Sequence, residues 1–397
     1  MRMDFRDILI LVNVTATDSI YPTLIQYARE HGWRLTIEDR MAPPKGWRGD
    51  GAIVQALDWP VISRYVKSLT KRGIPVVNLV NSKLADSLPS CVVGIRKAAE
   101  TAAAHFLERG FSHAVYFAME WLSCRDVAFA VFAKAMKGCD VQKWAWPDET
   151  RGHRVNDRAA MTKWLIGKLR GAERPLAVFC PNPYNAVAFM NVCLDAGISV
   201  PDEVAVMCDG YDPAFCDCQA VPITGIEYDT QRQAFEGAAL LDRLIDGDKG
   251  GPTRIVIPPT RIVVQQSTDV IATKNPLLRQ ALRFIRENIG RPFGAAEIAT
   301  SLGVPRIRLD RLFTAELRRS AGKEILRQRL AKAKQLLTET DDTLDAIASS
   351  CGFCHASYLV NAFKKATGTT PHRYRRDPVP AALRPRPRSG GYFQFQK

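Results

Sequence analysis

The sequence predicts an α/β domain with a parallel sheet, followed by an all-α domain that contains two helix-turn-helix units. Residues 7–247 alternate short apolar runs with longer amphipathic ones, whereas residues 273–376 have helical spacing throughout. From residue 274 onward there are 24 Lys and Arg against 10 Asp and Glu, so the whole net charge of +14 lies there. A basic domain joined to a neutral one indicates a polyanion partner for the basic domain, the alternative being a merely soluble basic surface.

Length and composition limit the class of protein. A chain of 397 residues is too long for one ordinary core and predicts two or three folded units. No run of eighteen apolar residues occurs, and residues 1–7 lack the apolar core of a signal peptide, so we expect a cytoplasmic protein with no membrane partner. Ten irregularly spaced cysteines predict reduced thiols.

Two close cysteine pairs are candidates for metal or redox sites. Cys351 and Cys354 have the spacing of zinc ligands, and Cys216 and Cys218 are closer still. The sequence has no second Cys-x-x-Cys pair to complete a four-ligand site. We therefore predict no metal and no cofactor.

The first domain has its candidate elements in alternating order. Seven candidate strands are 8–12, 34–37, 52–54, 76–80, 113–117, 176–179 and 204–207. Six candidate helices are 22–31, 98–109, 125–136, 156–169, 185–196 and 231–245. Because parallel sheets of this kind bind ligands beyond the carboxyl ends of their strands, a small-molecule site is expected there.

The pattern changes near residue 272. Residues 254–267 read as two short extended segments around a Pro-Pro break, and helical spacing follows. We expect a first domain over 1–272, a basic helical domain over 273–376, and a disordered basic tail over 377–397.

An internal repeat carries the functional prediction. The segment Ile298-Ala-Thr-Ser-Leu-Gly-Val304 recurs as Ile347-Ala-Ser-Ser-Cys-Gly-Phe353, 49 positions later, and an amphipathic helix follows each copy. The small Ala lets two helices cross closely, and the Gly permits a tight turn, as in a helix-turn-helix. Residues 323–338 have helical spacing and predict a long helix that separates the units, with Thr343 as N-cap of the next helix.

Helical periodicity predicts which side chains face DNA. If Leu309, Leu312 and Phe313 point inward in the first unit, and Leu359 and Phe363 in the second, the opposite faces are outward. The predicted DNA-binding residues are Ile307, Arg308, Asp310 and Arg311, then His355, Ala356, Ser357, Asn361, Lys364 and Arg375.

These side chains suit different parts of the duplex. Arg311 can bind guanine and Asn361 adenine through paired hydrogen bonds, and Asp310 can accept from a cytosine amine. Lys364 and Arg375 are expected to contact phosphates, with a solvated face as the alternative.

Residues 276–376 resemble the DNA-binding domain of AraC-type regulators. The resemblance rests on Arg329-Leu-Ala-Lys-Ala-Lys-Gln-Leu-Leu337, Ile347-Ala-Ser-Ser-Cys-Gly-Phe353 and Thr370-Pro-His-Arg-Tyr-Arg375. It implies sequence-specific binding to a double-stranded DNA operator. Pro305 stands where the family usually has a Ser that caps the first recognition helix, and a Pro is tolerated there.

The N-terminal part resembles the periplasmic-binding-protein-like domain of lactose-repressor relatives. The matching segments run from Gly94 to Gly110 and from Asp195 to Val204. The combination is similar to the xylose-operon activators. This resemblance implies that residues 1–272 form a two-lobed ligand-sensing and dimerisation domain ahead of a DNA-binding domain over 273–376, with a monosaccharide as effector. It also implies a homodimer, and RNA polymerase as a partner if the protein activates transcription.

The resemblance places Arg125 at the position of an arginine in the family's ligand pocket. Asn182, Asp209 and Asp212 lie in loops after two predicted strands, near the positions of family carboxylates, and are the other candidate effector ligands. Two carboxylates of the family pocket correspond here to Pro183 and Gly210, so the effector's identity stays open. Arg125 could equally be a salt-bridged surface residue, and the other three ordinary loop residues that satisfy turns.

The sequence lacks the common motifs of enzymes. The sequence has no phosphate-cradling Gly-rich loop, no Gly-x-Ser-x-Gly elbow and no His/Glu metal motif, so no enzyme is predicted. A regulator whose N-terminal domain serves only dimerisation, or senses a ligand other than a sugar, remains the alternative.

Overall fold

A computed structural model describes residues 5–12, 17–39, 42–56, 60–83, 87–119, 125–147, 157–248, 250–273 and 275–376. The chain divides into two compact units, residues 1–272 and residues 273–397. The basic tail predicted for 377–397 lies outside the described residues.

The first unit contains two six-stranded sheets. The first sheet is wholly parallel, with the order β11-β5-β4-β3-β1-β2. Its strands are β1 (Arg6–Leu11), β2 (Trp33–Ile37), β3 (Gly51–Val54), β4 (Val76–Asn78), β5 (Ser90–Val93) and β11 (Arg254–Ile257). Helices α1 (Thr17–Glu30), α2 (Pro60–Lys71) and α8 (Thr230–Ile245) pack around this sheet.

The second sheet has the order β12-β10-β9-β8-β6-β7, and only β12 runs antiparallel to its neighbour. Its strands are β6 (His113–Met119), β7 (Asp140–Trp146), β8 (Leu176–Cys180), β9 (Val204–Asp209), β10 (Thr224–Tyr228) and β12 (Pro259–Val263). The helices of this lobe are α3 (Ile95–Glu108), α4 (Arg125–Ala135), α5 (Arg158–Gly171), α6 (Pro183–Asp195) and α7 (Pro213–Cys216).

The chain crosses between the two sheets three times. The crossings lie at Gly94 between β5 and α3, at Asp229 between β10 and α8, and at Pro258 between β11 and β12. Two crossings are hydrogen-bonded to each other, because the Gly94 N–H donates to the Ile257 carbonyl at 2.8 Å. The two-lobed α/β fold expected from the resemblance is therefore confirmed.

The strands have nearly continuous apolar sequences because their side chains are buried on both faces of the sheet. Ile8, Leu9, Ile10 and Leu11 of β1 have no exposed surface, as expected for a sheet covered by helices on both faces. All seven predicted strands are present with shifted ends, but β5, β7 and β10 were missed. β5 is short, β7 is an edge strand with several exposed residues, and β10 contains Gly225.

The second unit is helical. It contains α9 (Pro276–Asn288), α10 (Ala295–Ser301), α11 (Arg306–Leu317), α12 (Ala321–Glu339), α13 (Leu344–Ser350), α14 (Ala356–Thr367) and α15 (Pro371–Arg376). The predicted long helix is α12, and it contacts α11, α13, α14 and α15. Thr343 caps α13 as predicted, because its Oγ1 accepts from the Ala346 N–H at 3.2 Å.

None of the helices in the described part of the chain combines the length and apolarity needed to cross a bilayer.

Candidate nucleic-acid interface and effector cleft

The turn of each helix-turn-helix depends on a glycine. Gly303 and Gly352 have φ values of 64° and 70°, in the left-handed region that favours glycine. At Gly352 an added Cβ would also lie 2.4 Å from the Arg291 carbonyl oxygen and 2.7 Å from that of Ile289. The second turn therefore packs directly on the backbone that joins α9 to α10.

Helix α11 has one buried and one exposed face. Leu309 and Phe313 have no exposed surface, whereas Ile307 is 68% exposed and both Arg308 and Arg311 are exposed. This agrees with the outward face predicted from periodicity. Asp310 is half-buried, and its Oδ2 lies 3.6 Å from the Nε of Arg306 one turn earlier.

Helix α14 repeats this arrangement. Leu359 and Phe363 are fully buried, while Ser357, Asn361 and Lys364 are exposed. His355 precedes the helix as an exposed N-cap without a side-chain capping bond, and Ala356 is half-buried.

Arg375 occupies a different kind of position. It is half-buried in α15, and its Nη2 donates to the carbonyl oxygen of Asp342 in the loop after α12. Part of its guanidinium is thus used to hold that loop.

Arg329 contacts both helix-turn-helix units. The sequence did not predict this linking role. Its Nη2 donates to the Arg291 and Phe293 carbonyls at 3.0 and 3.3 Å. Its guanidinium carbon lies 5.1 Å from the centre of the Phe293 ring and 6.0 Å from that of Phe353. Because Phe293 precedes α10 and Phe353 follows α13, one side chain of α12 contacts both units.

In the first unit, Asp209 lies at the carboxyl end of β9. The residue is 9% exposed, and its Oδ1 accepts a hydrogen bond from the Tyr228 hydroxyl at 2.6 Å. Burial raises the pKa of Asp209 to about 7. Tyr228, at the carboxyl end of β10, was not among the predicted residues, although it directly precedes a crossing between the lobes.

Two of the other predicted effector residues, Asn182 and Asp212, use side-chain oxygens to cap helices. Asn182 caps α6, where its Oδ1 accepts from the backbone N–H and the Nδ2 of Asn185 at 2.9 and 2.7 Å. Asp212 caps α7 by accepting from the Ala214 N–H at 2.9 Å. Arg125 is the first residue of α4, and its side chain lies outside the described residues.

Buried hydroxyl groups form hydrogen bonds that fix the last segment of the first unit, around Ser267 and Thr268, to its neighbours. Thr268 Oγ1 lies 2.8 Å from both His105 Nε2 and Thr224 Oγ1, and the Thr224 N–H donates to Ser267 Oγ at 2.9 Å. Arg109 Nε donates to the Thr268 carbonyl at 2.9 Å. The segment that leads to residue 272 is therefore attached to α3.

The cysteines are free in the part of the chain that the structure describes, and Cys351 is buried while Cys354 is exposed. Among the described residues, no group of His, Cys, Asp and Glu is arranged to hold a metal ion.

Comparison with known families identifies both domains. Residues 103–268 match a periplasmic binding protein-like domain, and residues 298–377 match a helix-turn-helix domain. The xylose operon regulatory protein of Escherichia coli (strain K12) is 24% identical over 364 residues, or 88% of this chain and 90% of that protein. The helix-turn-helix transcriptional regulator ArgR of Pseudomonas aeruginosa is 32% identical over 105 residues, covering 26% of this chain and 32% of that protein.

Solved structures show the same architecture. The xylose-binding transcription activator xylR superposes with a TM-score of 0.69 at 22% identity, covering 95% of this chain and 99% of that one. A LacI family transcriptional regulator from Bifidobacterium animalis covers 67% of this chain and 98% of its own, with a TM-score of 0.53 at 20% identity. The chain therefore combines a periplasmic binding protein-like domain with a helix-turn-helix domain, and it is similar over most of its length to a xylose operon regulatory protein.

Proposed function

We propose that this protein regulates transcription by binding an operator through α11 and α14, under the control of a sugar-like effector held between the lobes of the first unit. The observation that carries the proposal is the repeated division of α11 and α14 into a buried apolar face and an exposed polar face. The surrounding unit holds the chain's whole excess of positive charge, which suits the phosphate backbone.

The exposed faces suggest how bases are read. Arg311 is proposed to bind guanine, Asn361 adenine and Ile307 a thymine methyl group. Asp310 is proposed to accept a hydrogen bond from the cytosine amine. Four further residues border the same exposed faces: Arg308, His355, Ala356 and Ser357. Lys364 is proposed to contact phosphate, together with the part of the Arg375 guanidinium that does not bind Asp342.

The test begins with selection of a preferred DNA sequence from a random library by the full chain. Fluorescence anisotropy then measures the dissociation constant on that sequence and on random DNA. We expect Arg311→Ala and Asn361→Ala each to cost about 1 to 3 kcal/mol on the selected sequence and much less on random DNA. Lys364→Ala is the matched control, because loss of a phosphate contact should weaken both complexes equally. An equal loss on both DNAs for Arg311→Ala and Asn361→Ala would reject base reading by these residues.

The effector proposal rests on similarity to the xylose operon regulatory proteins and on the cleft at the carboxyl ends of the strands. Asp209 with Tyr228 is the best-placed group, and Arg125, Asn182 and Asp212 are the further candidate ligands. A ligand at a thousand times its dissociation constant should stabilise the first unit by about 4 kcal/mol. Thermal unfolding of the full chain against a panel of pentoses, hexoses and their derivatives measures this shift.

We further propose a cytoplasmic homodimer that contacts RNA polymerase if it activates transcription. Sedimentation velocity checks the dimer, and transcription in vitro from a template with the selected operator checks activation. A monomer that still binds the operator fully would reject dimerisation as a requirement.

A sensor that serves only dimerisation is the competing proposal. It is favoured by Asn182, whose oxygen is already used by α6, and by Pro183 and Gly210 at the positions of family carboxylates. It predicts that no effector in the panel changes the affinity for DNA.

A further inference from the structure

The chain leaves the first unit through a segment that is fixed as far as its last residue. Val270 belongs to the same buried core as Phe106 of α3, and the Ala272 N–H donates to the Arg109 carbonyl at 2.8 Å. An added Cβ at Gly110, which has a φ of 82°, would lie 3.4 Å from the Ala272 carbonyl oxygen. Residue 272 is therefore seated against the turn that ends α3.

The next residue is fixed within the second unit. Thr273 is 6% exposed, and its hydroxyl donates a long hydrogen bond of 3.5 Å to Glu316 Oε2 in the last turn of α11. The same hydroxyl oxygen accepts from the Asn275 N–H at 3.0 Å, and Arg279 Nη2 of α9 donates to the Thr273 carbonyl at 3.3 Å. Thr273 is therefore held by both α9 and the recognition helix α11.

The two anchors lie on consecutive residues. Ala272 is bonded to α3 in the first unit, Thr273 is bonded to α9 and α11 in the second, and one peptide bond joins them. Consecutive Cα atoms stay about 3.8 Å apart. A flexible linker would let one unit move without the other, whereas these anchors leave no length of chain between them. A displacement of the end of α3 must therefore move Thr273 or break one of its hydrogen bonds.

We propose that Thr273 and Glu316 are positioning residues that transmit the state of the first unit to α11 through the peptide bond between Ala272 and Thr273. This inference rests on the proposed function and deepens it, because it gives the route by which an effector changes the presentation of α11 to the operator. Coupling between two sites is reciprocal, so DNA bound at α11 must also change the stability of the Ala272 anchor.

Hydrogen exchange of the full chain, measured by mass spectrometry with and without DNA, tests this route. The probe is the DNA sequence selected from the random library, at a concentration that saturates each variant. Exchange of a buried amide reports how often its hydrogen bond opens. In the wild type we expect the DNA to slow exchange of the Ala272 amide at least fivefold, because the bound DNA fixes the residue that follows it.

An insertion adds slack at the junction. Gly-Ser-Gly-Ser inserted between Ala272 and Thr273 keeps the residues of both anchors and should reduce the effect of DNA on Ala272 exchange to less than twofold. The same insertion between Lys45 and Gly46, in an exposed turn of the first unit, is the control. It should keep the full effect.

Substitutions at Glu316 separate transmission from folding. Glu316→Ala removes the acceptor and should also reduce the effect of DNA to less than twofold, whereas Glu316→Gln keeps an acceptor oxygen and should retain the effect. Glu287→Ala, an exposed change on α9, is the matched control and should behave as the wild type. Circular dichroism should show every variant folded.

The outcomes separate this inference from the function on which it rests. Slowing at Ala272 that survives either the insertion at the junction or Glu316→Ala overturns the route. An equal loss in either control also overturns it, since the effect would then follow from general destabilisation. Unchanged Ala272 exchange in a wild type saturated with its selected DNA overturns it as well. Failure to select any operator instead overturns the proposed function.

Discussion

His105 shows how a single side chain acquires an unusual property from its surroundings. It is 4% exposed, and burial, with the nearby charge of Arg109 as a smaller cause, lowers its pKa to about 3. In the unfolded chain a histidine takes up its proton near pH 6.5. The folded state is therefore favoured fully above pH 6.5, and this contribution is lost as the pH falls toward 3.

This predicts acid sensitivity of the first unit. Between pH 7.5 and pH 5 the contribution of His105 to the free energy of unfolding should fall by about 2 kcal/mol. All seven tryptophans precede residue 272, so their fluorescence during urea unfolding reports the first unit. His105→Gln should reduce the pH dependence by that amount, whereas His372→Gln, in the second unit, should leave it unchanged.

Asp209 changes the free energy of unfolding with pH in the direction opposite to that of His105. Its pKa is raised to about 7, so its contribution is most favourable at low pH and is lost as the pH rises toward 7. This background is common to the wild type and to His105→Gln, and it cancels when the two are compared. An identical pH dependence in both proteins would contradict a buried neutral His105.

At the scale of elements, α12 sets the relation between the two helix-turn-helix units. Its residue Arg329 contacts the carbonyls of Arg291 and Phe293 before α10, and also the ring of Phe353 after α13. Two recognition helices reach successive major-groove segments only at a defined separation of about 34 Å. Because the Arg329 side chain contacts both helix-turn-helix units, we expect it to affect binding to the whole operator.

We expect Arg329→Ala to weaken binding to the full operator at least tenfold, with a much smaller effect on a half-site that only one unit contacts. Gln335→Ala, an exposed change on the same helix, is the control and should alter neither affinity. Anisotropy titrations with full and half-site duplexes measure both values. A proportional loss on the two DNAs would show that Arg329 supports folding of one unit instead of joining two.

At the scale of the whole molecule, the effector and the DNA must be coupled through residues that neither ligand contacts. Thr268 is the natural candidate, because its hydroxyl lies between His105 of α3 and Thr224 of β10. Coupling between two sites is a free energy and can be measured as the ratio of DNA affinities with and without effector.

Thr268→Val keeps the shape of the side chain and removes the hydroxyl, leaving buried polar groups without this partner. We expect the effector to bind within about threefold of its wild-type affinity, while its effect on DNA affinity falls at least fivefold. Thr101→Val, on α3 with His105, removes a hydroxyl that donates to the Lys97 carbonyl and should retain full coupling. Unchanged coupling in Thr268→Val would exclude this network from transmission.

Features that depend on local periodicity could be predicted from the sequence. Apolar runs are buried strands because helices cover both sheet faces, and the outward faces of α11 and α14 follow from a period of 3.6 residues. The glycines of the two turns were found because a left-handed conformation demands a residue type that is visible in the sequence.

Features that join distant segments of the chain could not be predicted from local pattern. The chain returns to the first sheet through β11 after completing most of the second, which local pattern does not encode. Asn182 is used as a cap and Asp209 is paired with Tyr228, although both read equally well as pocket residues in the sequence. Arg329 was missed for the same reason, since the carbonyls to which it donates lie nearly forty residues earlier and only three-dimensional packing brings them together.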